Sequence, residues 1–133
     1  MKEKLLHTAT TSTVIESFYR VYNTLGYGFL EKVYERAMVL DLARLGVHIQ
    51  VREPVTVWYA GEIVGKFYPD LTIQNAVIVE LKAVKELLPE HEVQLVNYLT
   101  ATALEIGLLL NFGPRPQVKR KIFTNDQKKS LQK

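Results

Sequence analysis

Ala76-Val77-Ile78-Val79-Glu80-Leu81-Lys82 decides the fold. Apart from Glu80 and Lys82, every residue in it is apolar. Such a run reads as a strand covered on both faces, in the middle of a sheet. Glu80 is costly there, because a buried carboxylate must be hydrogen-bonded, paired or bound to a cation. In a strand, residues two apart share a face. Glu80 and Lys82 therefore project together, and Leu81 points the other way.

Working outward, Gln74-Asn75 reads as a tight turn, with residues 63–73 as the preceding strand. Nine residues separate Asp70 from Glu80. A two-residue turn sets Asp70 opposite Val79 and diagonal to Glu80, and a slip of one step leaves Asp70, Glu80 and Lys82 neighbours. Pro69 belongs at a bulge or strand end. Two adjacent carboxylates repel and hold protons unless a cation lies between them. Mg²⁺ or Mn²⁺ would take an oxygen from each, with the Leu81 carbonyl also available, and keep several waters. Lys82 would hold the nucleophile or stabilise charge on a phosphate. A Glu-x-Lys alone is usually a surface ion pair, and a Pro-Asp alone is usually a turn. Their occurrence together, on consecutive strands, carries the reading.

The flanking segments give an element order. Residues 9–25 read as a helix, with Val14, Phe18, Val21, Tyr22 and Leu25 at helical spacing. Thr11, Ser12 or Thr13 would cap it, with Glu16 closing a capping box on Thr13, and Gly26 ends it. A second helix spans about Phe29 to Leu45, striped by Leu30, Val33, Ala37, Leu40 and Ala43 and stopped by Gly46. Residues 47–59 alternate as a strand interrupted by Pro54, and Ala60-Gly61-Glu62 forms a hairpin turn. After Pro89, residues 90–104 read as a third helix. Residues 106–112 form another buried strand, and 118–123 a last one. The order is α-α-β-β-β-α-β-β: a three-strand antiparallel meander, then a helical crossover into a parallel strand. This is an α/β chain with a mixed β-sheet flanked by helices on both faces.

Composition is that of one ordinary globular domain, 133 residues with 47% hydrophobic and 23% charged side chains. The core is expected over 9–123, with a frayed basic tail at 124–133. Without cysteine, disulfides, thiolate zinc sites and a thiol nucleophile are excluded. His7, His48 and His91 lack metal-ligand spacing. No run approaches a membrane span, and no signal peptide is apparent, so a cytoplasmic protein with no membrane partner is expected. The net charge is +3. Lys119, Arg120, Lys121, Lys128, Lys129 and Lys133 supply much of the excess, either as a phosphate-binding surface or as a solvated tail.

Asp70 with Glu80-Leu81-Lys82 resembles the PD-(D/E)XK nuclease superfamily. Gly28-Phe29-Leu30-Glu31-Lys32-Val33-Tyr34-Glu35 resembles the motif of the GxxExxY proteins within it. Gln94-Leu95-Val96-Asn97-Tyr98-Leu99 and Gly107-Leu108-Leu109-Leu110-Asn111-Phe112-Gly113 resemble that group too. The resemblance spans residues 9–123. It implies a restriction-endonuclease-like core and divalent-metal hydrolysis of nucleic-acid phosphodiesters by metal-activated water. By position, it makes Asp70, Glu80 and Glu31 metal ligands. Lys82 becomes the catalytic lysine, and Gln94 a polar residue on the helix beside the site.

Read from the residues alone, Glu31 and Glu35 share a helix face near Tyr34 and form a solvated acidic patch. Gln94, Asn97 and Tyr98 share another helix face. Tyr34, Asn97 and Tyr98 are supporting candidates whose alternative is helix packing. His91 could touch a phosphate but reads first as a surface residue. Trp58 and Tyr59 fit sheet packing better than base stacking. The reading is a Mg²⁺- or Mn²⁺-dependent nuclease acting on DNA ahead of RNA, with a homodimer needed for double-strand cleavage. The alternatives are a catalytically silent module that binds nucleic acid or protein on the same fold, and a hydrolase for another phosphoester.

Overall fold

The computed structural model describes residues 7–128. In chain order the elements are α1 (Thr8–Leu25), α2 (Glu31–Arg44), β1 (Ile49–Val51), β2 (Val55–Tyr59), β3 (Glu62–Phe67), β4 (Leu71–Ile73), β5 (Val77–Lys82), α3 (Pro89–Thr100), β6 (Ile106–Phe112) and β7 (Pro116–Ile122). The main sheet has five strands in the order β1-β4-β5-β6-β7. β5 and β6 are parallel across the α3 crossover, and the other neighbours are antiparallel.

The order α-α-β-β-β-β-β-α-β-β replaces the three-strand meander, because both long strands break midway. Pro54 has no N–H for the ladder, and Arg52 just before it takes φ 52°. Tyr68-Pro69 breaks the returning strand. The inner halves, β1 and β4, join the main sheet, while the outer halves, β2 and β3, pair as a separate two-stranded sheet.

α1 and α2 cover one face of the main sheet. Val14, Phe18, Tyr34, Met38 and Leu42 pack on Val77, Val79, Leu81, Leu108 and Leu110. α3 covers the other face, where Leu95 and Leu99 pack on Ile78 and Leu109. β5 is thus buried on both sides, as its composition requires. Gly107 makes room for α3, since a Cβ there would lie 2.7 Å from Leu95 Cδ1.

Several boundaries move. α1 begins at Thr8 after His7 in a left-handed conformation, and no side chain caps it. The Thr11 and Thr13 hydroxyls instead donate back to the Thr8 and Ala9 carbonyls, each at 3.0 Å. The capping box is therefore absent. α3 ends at Thr100 and β7 starts at Pro116. The tail is not frayed as far as Lys128: Asn125–Gln127 form a 3-10 turn. The Lys128 ammonium donates to the Thr102 and Leu104 carbonyls at 2.8 and 2.6 Å. Lys129 and Lys133 lie outside the described residues.

Candidate active site

The turn after β4 takes one residue more than two: Gln74 and Asn75 have φ 56° and 51°, and Ile73 pairs with Val77, leaving Ala76 between. Leu71, not Asp70, therefore faces Val79, which brings Asp70 level with Glu80. The consequence is a reciprocal pair of hydrogen bonds. The Asp70 N–H donates to Glu80 Oε2 at 2.7 Å, and the Leu81 N–H donates to Asp70 Oδ2 at 2.8 Å. Each carboxylate is held by the backbone of the other's strand, so both are oriented before anything binds.

Glu80 is only 7% exposed. Burial first, and then the Asp70 carboxylate, push its carboxyl up to about 8, against the Asp70 N–H and the Lys82 ammonium. Burial likewise holds Asp70 above the usual carboxylate range. The Leu81 N–H opposes that, and Glu35 and Glu31 add to it. Lys82 lies half-buried at the end of β5, on Glu80's side of the strand.

Glu31 is exposed in the first turn of α2 and acts on both Asp70 and Glu80 through its charge. Among the described residues, no three His, Cys, Asp or Glu side chains are grouped closely enough to hold an ion together. Asp70 and Glu80 are the coupled pair. Their donors are all oxygens, and each carboxylate has its second oxygen free of the bonds just described. That set suits a hard cation, and Mg²⁺ needs only one or two carboxylates when waters and phosphates complete its shell. The pair fits such an ion, and a positive charge there would offset both the burial and the Asp70 repulsion that raise Glu80.

On α3, the Gln94 side-chain N–H donates to the Tyr98 hydroxyl at 2.7 Å. Tyr98 stacks on Phe67 of the hairpin with centroids 4.0 Å apart. Burial, then the negative charges of Glu80 and Asp70, raise its phenol above the ordinary range. Gln94 and Tyr98 therefore stand together beside the carboxylates. Asn97 is exposed and borders a groove with Glu92, Val96 and Lys121.

Tyr34 is fully buried and stacked on Phe112 at 4.1 Å. Its hydroxyl donates to the Gly26 carbonyl at 2.7 Å and accepts the Phe29 N–H at 3.2 Å. It pins the joint between α1 and α2, in which Gly28 takes φ 113°, and so fixes where α2 and Glu31 begin. The His91 Nδ1 accepts the Leu88 N–H at 3.0 Å and caps α3.

One residue of this neighbourhood, Arg52, was not singled out from the sequence, and another, Glu35, was read there as solvated. Glu35 is 7% exposed, not part of a solvated patch. Its two oxygens accept a fork of hydrogen bonds from the Arg52 guanidinium, at 2.8 and 2.8 Å. The clue was Glu35's position one helical turn from Glu31; nothing local marks Arg52 as its partner. The basic C-terminal stretch is partly engaged: Lys121 pairs with Glu92 at 2.6 Å, and Lys128 is buried.

A family model described as the PD-(D/E)XK nuclease superfamily matches residues 8–122. The chain belongs to that superfamily. The match therefore places it in a class of nucleases, enzymes that hydrolyse phosphodiester bonds. The crystal structure of SSO0001 superposes with a TM-score of 0.50 at 20% sequence identity, over 67% of this chain and 53% of that one. This chain thus spans about half of that protein's length, and at this identity the likeness concerns the fold alone. The mixed sheet flanked by helices is a restriction-endonuclease-like core. No curated protein matches the chain. No helix among the described residues is long and apolar enough to cross a membrane.

Proposed function

We propose that this chain is a divalent-metal-dependent nuclease of the GxxExxY group, acting on DNA ahead of RNA. The observation that carries the reading is the reciprocal bonding of Asp70 and Glu80, with Lys82 on the same face of β5, in a chain that matches a nuclease superfamily.

Asp70 and Glu80 would hold Mg²⁺ or Mn²⁺, with the Leu81 carbonyl adjacent and Glu31 reaching the ion's hydration shell. When bound, the ion supplies Lewis-acid polarisation of the phosphate and a lowered barrier to losing a proton from water. The chain's own groups do the rest. The two strand backbones orient the carboxylates, so little ordering is left for the moment of binding. Lys82 places an ammonium where a phosphate seated on Glu80's side of the strand gains negative charge in the transition state. Gln94 and Tyr98 present donors at the same place, and Phe67 shields one side of Tyr98 from water. One chain carries one such site, so cutting both strands of a duplex would take two copies.

The test is cleavage of single-stranded, duplex and branched DNA, and of RNA, with Mg²⁺, with Mn²⁺ and with EDTA. Wild type should cut only with metal. Lys82→Ala should remain folded and lose cleavage. Cleavage that survives EDTA, or that Lys82→Ala leaves intact, overturns the reading. Tight nucleic-acid binding without turnover would point to the silent binding module instead.

A further inference from the structure

Arg52 is placed where the sheet breaks, and three of its features converge on the carboxylates. Its φ of 52° is one that arginine seldom adopts, so the surroundings must hold it there. Its N–H donates to the Asp70 carbonyl at 3.1 Å, extending the β1–β4 pairing by one rung. Its guanidinium grips both oxygens of Glu35. The two side chains differ in exposure, 42% for Arg52 and 10% for Glu35. The acid is thus withdrawn from solvent while the cation stays partly accessible.

The arithmetic of charge then matters. Glu35 and, less strongly, Glu31 both act on Asp70 through their charge, and Glu80 is bonded to the Asp70 N–H. Lys82 opposes the charge of Glu80 and Arg52 that of Asp70. Arg52 is held above its ordinary range first by the Glu35 hydrogen bonds and charge, and further by Asp70 and Glu80. The backbone rung seats residue 52 next to Asp70, and the fork on Glu35 fixes the charge that its side chain carries there.

We propose that Arg52 is a resident cation of the metal site: neutralising Glu35 beside Asp70, it sets how strongly Asp70 and Glu80 attract a divalent ion. This makes Arg52 a positioning residue, acting through Glu35 and Asp70, and it rests on the reading of Asp70 and Glu80 as the ion's ligands. Removing the cation leaves an extra negative charge beside the site. Removing the acid leaves an uncompensated positive one. The two changes must therefore move metal affinity in opposite directions.

The experiment measures Mn²⁺ binding to the full folded chain by electron paramagnetic resonance, together with thermal unfolding, for wild type, Arg52→Gln and Glu35→Gln. Arg52→Gln should bind Mn²⁺ on the order of tenfold more tightly, or take a second ion, and Glu35→Gln on the order of tenfold more weakly. Both should lose thermal stability. A structural pair would lower stability in both variants without splitting the affinities, and that result overturns the proposal. Shifts of the same sign, or no Mn²⁺ binding by wild type, overturn it as well. If Arg52→Gln fails to fold, the weakening in Glu35→Gln decides alone. Opposed shifts in a protein that cleaves neither DNA nor RNA would sustain this inference and refute the nuclease reading, so the two fail separately.

Discussion

At the scale of the residue, Glu80 is the side chain under most electrostatic pressure. Its folded value near 8 lies well above the ordinary 4.5. Between those values the folded chain keeps a proton that the unfolded chain releases. The stability contributed by this proton is therefore fully present below about pH 4.5 and is lost as pH rises through about 8. Each unit of displacement is worth about 1.4 kcal/mol, so the loss is on the order of a few kcal/mol. Calorimetry in EDTA should record a melting temperature that falls from about pH 5 to 8. Glu80→Gln should flatten the slope, and millimolar Mg²⁺ should restore the high-pH end. Lys82 makes the complementary case. Lys82→Ala removes an ammonium that opposes the Glu80 charge and would face the phosphate. It should cut the cleavage rate by about a hundredfold or more, while the chain stays folded and still binds Mn²⁺, at least as tightly as wild type.

At the scale of the element, the apolar run at 76–82 was legible because its composition fits only a strand covered on both faces. β6 followed for the same reason. The Asp70–Glu80–Lys82 neighbourhood was legible because strand pairing tolerates a slip of one residue without separating those side chains. The slip did occur, since Ala76 belongs to the turn. The breaks at Pro54 and Pro69 were visible as prolines, but not their effect of splitting off a second sheet. That depends on β1 and β4 finding each other at the main sheet's edge. The burial of Glu35 was equally hidden, because it follows from an arginine seventeen residues on.

The loop after β5 also escaped the sequence. Asn111, fully buried, accepts the Val84 N–H at 3.0 Å and donates to the Val84 carbonyl at 3.0 Å and Gln117 Oε1 at 2.9 Å. Gln117 in turn accepts the Leu87 N–H at 3.1 Å. Gly113 completes the clasp, since a Cβ there would stand 2.3 Å from the Val84 carbonyl oxygen. Asn111→Ala leaves the Val84 groups unsatisfied and should cost about 2–3 kcal/mol in a urea titration. Tyr34→Phe removes one donor and one acceptor from the α1–α2 joint. It should cost about 1–2 kcal/mol and speed proteolysis near Gly26–Phe29.

At the scale of the whole molecule, the topology came through and the partition of strands did not. The five-stranded sheet is buried at its centre, whereas the β2–β3 hairpin exposes Tyr59, Ile63 and Val64 and meets α3 through the Phe67–Tyr98 stack. Its amides should exchange with deuterium well before those of β5 and β6, which open only with global unfolding. Equal protection across both sheets would contradict that hierarchy.

The crossed grip of Asp70 and Glu80 has a consequence for how the chain reaches its native state. Each acid is anchored by an amide from the opposite strand, so β4 and β5 cannot close one notch out of step and still assemble the pair. Correct threading and a competent centre become a single event. A mispaired sheet would be silent, and the appearance of function during refolding would time the moment those two strands find their true alignment.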